Sequence, residues 1–194
     1  PQGTAYIDTP EHKRGIIAGY YAMIAEYDDM VGAYLETLRE TGLEDDTVVV
    51  LTSDHGDMQM QHQQFYKMVA YEASTRVPAV FAGPGITHRG SVETLASLVD
   101  LVPTFMEIGQ QEVTPGAFDG VSLVPLLQKG DAAADSHPGH IVSQFHAETL
   151  TMSWYMVRKG DLKYVAWGTG KEHSPQLFNV TADPEEATNL ALDS

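Results

Sequence analysis

The chain has 194 residues, 43% of them hydrophobic and 20% charged, a composition typical of a globular domain rather than a disordered segment. Its 27 acidic residues against 11 basic ones give a formal charge of −16, a field that repels a nucleic-acid backbone and argues against DNA or RNA binding. The sequence has no Cys and no apolar run long enough to span a membrane. This excludes a disulfide framework, a Cys-ligated zinc ion and a thiol nucleophile from this chain.

The two ends of the sequence suggest a piece of a longer protein. It begins with Pro1, has no charged stretch followed by an apolar one as in a targeting peptide, and stops at Ser194 after a turn-rich segment. We therefore expect an internal or C-terminal fragment.

The first predicted element is a helix over residues 12–41. Apolar residues recur there at spacings of three and four, which places them on one stripe, and Gly42 follows as a natural helix terminator. Asp28 lies on this stripe, where an apolar residue is expected. It is either a surface or capping carboxylate or a carboxylate that supports a nearby site.

The next predicted elements follow an α/β pattern. Residues 47–52 are an unbroken β-branched and apolar run, which predicts a central strand covered on both faces. A second strand is predicted over residues 77–82 and is closed by Gly83. Ligands of open α/β sheets bind beyond the carboxyl ends of the strands, so the polar loop that follows residue 52 is where we expect the chemistry.

The second half of the chain predicts shorter elements. Asp100 is expected to cap a short helix, and residues 128–139 are rich in Gly, Ala and Asp, as in a surface linker. Short strands over residues 141–145, 154–158 and 162–167 predict a small antiparallel sheet. We expect two units, with residues 1–130 in a main α/β domain and residues 140–194 in a C-terminal antiparallel subdomain.

Asp54-His55 is the first candidate site, because it directly follows the first predicted strand. A carboxylate and an imidazole side by side can face one cation, and Gly56 lets the backbone turn sharply. With further oxygen ligands, the pair suits calcium or magnesium better than zinc. The alternative is a turn in which Asp54 caps the backbone.

Lys67 and His146 are the other candidates. Lys67 lies between Tyr66 and Met68, neighbours that can desolvate its ammonium and strengthen its attraction to an anion. The alternative is an ordinary surface lysine. His146 ends a short predicted strand, where a single histidine is either a structural residue or a site residue.

Many segments of the sequence resemble segments of the type I sulfatases of the alkaline phosphatase superfamily, and they occur in the same order as in that family. The similarity extends from Tyr20 to Ala191. Within the family, the segments around His62, His146 and Leu177 are most similar to lysosomal uronate-2-sulfatases, and choline sulfatases share part of the pattern. The matching segments are residues 21–38, 51–56, 66–68, 71–74, 76–78, 83–86, 97–104, 119–123, 177–179, 183–185 and 189–191.

The resemblance implies an α/β fold. An alkaline-phosphatase-like sheet flanked by helices, present here only in part, is followed by a small antiparallel C-terminal sheet. It also implies hydrolysis of sulfate esters by a formylglycine, made from a Cys or Ser, with calcium (magnesium is possible) and lysines holding the sulfate oxygens. By this resemblance, Asp54 and His55 correspond in position to two metal ligands of the family, and Lys67 corresponds to the catalytic lysine that binds the sulfate.

The substrate expected from the resemblance is an anionic sulfate ester, either a small molecule or a glycosaminoglycan. A uronate sulfate would need cationic and histidine contacts such as Arg76, His62 or His146. Choline sulfate would need an aromatic cage. The resemblance also implies a lysosomal or secreted protein, an expectation to which the glycosylation sequon at Asn179 adds slightly.

The sequence departs from the family pattern in the nucleophile. It contains neither a Cys nor a Ser in the formylglycine motif, so the chain alone should be inactive, and Gln144 stands where related sequences tend to carry Glu. Two other functions stay open: a phosphoesterase or phosphonate hydrolase of the same superfamily, and a non-catalytic binding protein with the same fold. Lys163 lies in a predicted peripheral strand and is expected to be a surface lysine with no part in the reaction.

Overall fold

The N-terminal helix has the extent that its periodicity predicts. In the computed structural model, which describes residues 9–112, 114 and 116–192, α1 spans Pro10–Glu40. The Thr9 hydroxyl accepts the His12 amide at its start, and Gly42 takes a φ of +70° just after its end. No residue of α1 is buried, and Asp28 is exposed, as are most residues of the helix. The described residues therefore leave most of the apolar stripe uncovered.

The first sheet pairs β1 (Val49–Thr52) with β4 (Ala79–Ala82) in antiparallel register, with Val50 opposite Phe81. The prediction that the first strand is covered on both faces is wrong for the described residues, because all four residues of β1 are only partly buried and β4 is its one partner there. Because β4 runs antiparallel, its carboxyl end lies at the opposite edge from that of β1. In this sheet, β1 alone ends at the Asp54-His55 loop.

A small hairpin follows, formed by β2 (Met58–Gln59) and β3 (Phe65–Tyr66), and the one-turn helix α2 (Glu72–Thr75) comes after it. The chain in this region is unusually contorted for one without glycine. Five residues have a positive φ, a conformation that side chains disfavour: Met60, His62, Gln63, Tyr66 and Met68.

Helices α3 (Leu101–Ile108) and α4 (Val124–Lys129) lead to a series of 3₁₀ turns over Gly130–Ser136. Asp100 precedes α3 as predicted, but its carboxylate does not cap that helix. Instead it is buried and accepts the backbone N–H groups of Ser97 at 2.7 Å and Val121 at 2.9 Å. The carboxylate thus ties the start of α3 to the loop before α4.

The segment predicted to be a surface linker is anchored to the main body. Asp131 accepts hydrogen bonds from the Glu93 N–H, at 3.0 Å from one carboxylate oxygen, and from the Thr94 N–H and hydroxyl at 2.9 and 2.7 Å. These bonds lower the pKa of Asp131, chiefly through the Thr94 hydroxyl.

The C-terminal sheet has four antiparallel strands in the order β5-β6-β7-β8. They span Ile141–Phe145, Trp154–Lys159, Leu162–Trp167 and Gln176–Asn179. The first three confirm the predicted strands, and the fourth is an addition that the sequence pattern missed. A core cluster forms on one face where Trp154, Met156 and Val165 pack on Ala70.

A buried ion cluster extends the same face. Lys163, expected at the periphery, is fully buried, and its ammonium contacts Glu72 Oε1 at 3.1 Å and Glu186 Oε1. Arg158 contacts the other oxygen of Glu72 at 3.0 Å. The prediction of a surface lysine is therefore wrong: the alternation of β7 points Lys163 inward with Val165, and two carboxylates from distant segments meet it there.

Candidate active site

The Asp54-His55 loop is held by close backbone packing at Gly56. The Gly56 N–H donates to the Ser74 carbonyl at 2.8 Å. A Cβ added at Gly56 would lie 2.1 Å from the carbonyl oxygen of Ala73, so a side chain cannot be accommodated without movement. The loop that ends β1 is thereby fixed against the segment that contains α2.

Asp54 is held as a carboxylate. Its Oδ1 accepts the His55 backbone N–H at 2.9 Å and lies 3.3 Å from the Ser53 hydroxyl. The bond from the His55 N–H is the main cause of a lowered pKa for Asp54. A hydrogen bond that favours the charged form keeps this exposed group ionised and available to a cation.

His55 presents one ring nitrogen outward. Its Nδ1 lies 2.8 Å from the Gly56 carbonyl oxygen, and since a carbonyl can only accept, Nδ1 carries the proton that makes this bond. In the neutral ring, Nε2 then has a free lone pair, and it lies 3.3 Å from Asp54 Oδ2. Metal-binding histidines are commonly oriented by such a bond from the other ring nitrogen.

Lys67 joins the pair from the contorted segment. Its Nζ lies 2.5 Å from His55 Nε2. Both of its neighbours are in the left-handed region, with φ of +65° at Tyr66 and +83° at Met68. Three of the predicted site residues, from two separate loops, therefore converge on one exposed point with a carboxylate, an imidazole and an ammonium.

Asp54 and His55 supply only part of the ligand set that a hard cation needs. The carboxylate oxygens are the ligands that calcium prefers, whereas the imidazole nitrogen is a softer donor, and calcium takes about six to eight oxygen ligands. Across residues 9–112, 114 and 116–192 there is no group of three or more His, Cys, Asp or Glu side chains that could hold a metal ion. A cation bound here would need ligands from elsewhere.

The other predicted substrate contacts lie in packing arrangements of their own. His62 stacks on Tyr71 with ring centroids 3.9 Å apart, and its Nε2 lies 2.8 Å from the Glu185 carbonyl oxygen. His146 is exposed and meets the ring of Tyr155 edge-on at 5.6 Å. The contact with Glu185 attaches His62 to the C-terminal half of the chain. The roles of both histidines in substrate binding stay predictions.

One residue beside the site was missed. Trp154 donates from its indole N–H to the Met68 carbonyl at 2.9 Å, across 86 residues of sequence. A buried tryptophan with a hydrogen-bonded N–H is common, but nothing in the local pattern indicates that its partner adjoins Lys67.

Comparison with family models identifies the class of protein. The model described as Sulfatase matches residues 2–110, and the model described as N-sulphoglucosamine sulphohydrolase, C-terminal, matches residues 60–194. The chain belongs to the sulfatase family, as its motifs predict. No helix within the described residues combines the length and the apolarity that crossing a membrane requires.

Individual relatives agree with this assignment. The chain is 42% identical over 188 residues to arylsulfatase K of Xenopus laevis, a match that covers 94% of the chain but only 35% of the relative. It is 30% identical to a 2-O GAG sulfatase of known structure, with a TM-score of 0.84 over 96% of the chain and 40% of that protein. It is 29% identical to a phosphonate monoester hydrolase of Agrobacterium radiobacter, with a TM-score of 0.86 over 99% of the chain and 40% of that protein. The chain thus has the predicted α/β fold with its antiparallel C-terminal sheet, and spans about a third of the length of the curated relative.

Proposed function

We propose that this chain acts within a longer sulfate ester hydrolase, to which it contributes two metal ligands and a sulfate-binding lysine. The observation that carries the proposal is the convergence of Asp54, His55 and Lys67 at one exposed point, with His55 Nε2 3.3 Å from Asp54 Oδ2 and 2.5 Å from Lys67 Nζ. Membership of the sulfatase family supports the same reaction.

The charges at this point fit the chemistry of a sulfate ester. The ester is an anion, and further negative charge develops on its oxygens as the bond to the leaving group breaks. A fixed ammonium and a cation-binding pair stabilise that charge without reorganising during the reaction. They also offset the repulsion that a chain with a formal charge of −16 exerts on an anionic substrate.

We propose calcium as the metal, with magnesium as the alternative. The ionised Asp54 offers the oxygen ligand that a hard divalent ion prefers, and His55 Nε2 offers a second donor; the ion would act as a Lewis acid toward the sulfate oxygens. The Nε2 lone pair serves one partner at a time. A cation held by this nitrogen would displace the Lys67 ammonium from His55, and the ammonium would then be available to the anion.

The nucleophile is proposed to come from outside this chain. The sequence has no Cys, and the formylglycine of the family would be supplied by another part of the longer protein. Within the chain, we propose that residues 1–130 belong to the main catalytic domain and residues 140–194 to a C-terminal subdomain.

The proposed substrate is a sulfated carbohydrate of the uronate-2-sulfate type. This rests on the similarity to proteins named arylsulfatase K and to a 2-O GAG sulfatase. His62 and His146 are the proposed additional contacts to the anionic sugar, and a lysosomal or secreted location is proposed on the same similarity.

A phosphonate ester is the second candidate substrate, because 99% of this chain superimposes on part of the phosphonate monoester hydrolase. Turnover of p-nitrophenyl sulfate and of p-nitrophenyl phenylphosphonate by the full-length protein distinguishes the two. A higher kcat/KM for the phosphonate ester would replace sulfatase with phosphonate hydrolase as the main activity.

The test of the site is Lys67→Ala in the full-length protein. Loss of one preorganised charge-stabilising donor is expected to lower turnover of p-nitrophenyl sulfate by about 10²–10³-fold, with little change in stability because Lys67 is exposed. Lys159→Ala is the matched control, an exposed lysine at the end of β6. Equal effects of the two substitutions would remove Lys67 from the site.

A further inference from the structure

The backbone around Lys67 is held in a conformation that its own sequence does not favour. Tyr66 and Met68 are both left-handed, although neither is glycine. Such conformations persist only where the surrounding structure imposes them, and they are concentrated at functional sites. Some contact outside the segment must therefore keep Lys67 pointing at His55.

The contact on the carboxyl side of Lys67 comes from the C-terminal sheet. The indole N–H of Trp154 donates to the Met68 carbonyl at 2.9 Å. This carbonyl belongs to the second of the two left-handed residues and is separated from Lys67 by one peptide unit. Rotation of the Met68 backbone toward a relaxed conformation would redirect that carbonyl and break the bond.

Trp154 is itself buried and closely packed. It is 4% exposed, stands at the start of β6 opposite Trp167, and packs against Ala70 and Met156. The Phe145 ring lies 6.2 Å away in a stacked arrangement. A donor fixed by a packed core can impose a geometry on a strained loop, as positioning groups in catalytic sites do.

We propose that Trp154 is the positioning residue for Lys67: its indole N–H holds the Met68 carbonyl and thereby keeps the left-handed turn that places the lysine ammonium beside the Asp54-His55 pair, within reach of the anion. The proposal rests on the proposed function, because it needs Lys67 to act on the substrate. It assigns to the C-terminal sheet a part in the reaction, although Trp154 touches neither substrate nor metal.

The test is a double-mutant cycle in the full-length protein, with p-nitrophenyl sulfate as substrate. Trp154→Phe keeps an aromatic side chain, although a smaller one, and removes the N–H. It is expected to lower kcat/KM by about 10- to 100-fold, the usual scale for a small misplacement of a catalytic group. In the Lys67→Ala background the same substitution should have almost no further effect, because the group that it positions is gone. Hydrogen exchange in residues 66–70 should become faster in Trp154→Phe.

Two controls separate positioning from general loosening. Trp167→Phe removes an indole N–H from the same sheet, one that donates to Gln176 at 3.3 Å, and should leave kcat/KM unchanged. Met156→Val removes volume from the same core cluster and should lower the melting temperature without acting through Lys67. If Trp154→Phe lowers kcat/KM by the same factor with and without Lys67, or no more than Met156→Val at an equal loss of stability, the positioning role is overturned.

Failure of the proposed function can be distinguished from failure of the positioning role of Trp154. A Lys67→Ala variant with normal turnover would overturn both the sulfate-binding role and the positioning role. Normal turnover in Trp154→Phe together with a large loss in Lys67→Ala would overturn the positioning role alone.

Discussion

Replacing Lys163 with Met should destabilise the protein strongly, because it removes the positive charge from a buried cluster. Lys163 is fully buried and contacts Glu72 and Glu186, whose side chains are 15% and 2% exposed. After the substitution, Glu72 keeps Arg158 at 3.0 Å. Glu186 keeps a bond from the Glu72 backbone N–H at 2.6 Å, but its charge loses the ammonium that balances it.

The expected cost is about 3–5 kcal/mol, the range for breaking a buried ion pair by removing one partner. For a cooperative unit of this size, that cost lowers the melting temperature by about 6–20 °C. Thermal unfolding followed by circular dichroism measures it, and exposed Lys159→Met provides the control. Adding Glu186→Gln to Lys163→Met should restore most of the loss, since the uncompensated charge is then absent.

Two results would refute this reasoning. One is a melting temperature for Lys163→Met as high as that of the Lys159→Met control. The other is a double variant, Lys163→Met with Glu186→Gln, that melts below the single one. Either would mean that Lys163 and the two glutamates do not stabilise one another in the folded protein.

Two further predictions concern carboxylates. Asp54→Ala in the full-length protein should lower both turnover and the amount of bound calcium, measured by elemental analysis. The control, Asp45→Ala at an exposed aspartate, should change neither. An unchanged calcium content would mean that Asp54 only caps the backbone. Asp131→Ala should speed amide exchange at Glu93 and Thr94, and Asp135→Asn should not. Because the pKa of Asp131 is lowered below 3.8, its stabilising effect should be complete above pH 3.8 and lost as the pH falls through the lowered pKa; exchange at Glu93 that is already fast at pH 6 would contradict this.

The order of the short motifs was enough to predict the fold class and the family. The periodicity of α1 and the alternation in the first three C-terminal strands are local properties, and the structure confirms them. The strand β8 was missed because it follows a polar turn-rich segment. The expected full cover of β1 is not provided by the described residues, since burial depends on what packs on a strand and not on its own composition.

The sequence by itself determined which chemical groups this protein offers: an Asp-His pair after a β-strand, a lysine between apolar neighbours and no cysteine. Only the tertiary structure decided how these groups are used. It brings Lys67 to His55, buries Lys163 between two carboxylates, and carries Trp154 across 86 residues to the Met68 carbonyl. The physical reason is that propensity and periodicity act over a few residues, whereas burial and charge compensation depend on segments that meet only when the chain folds.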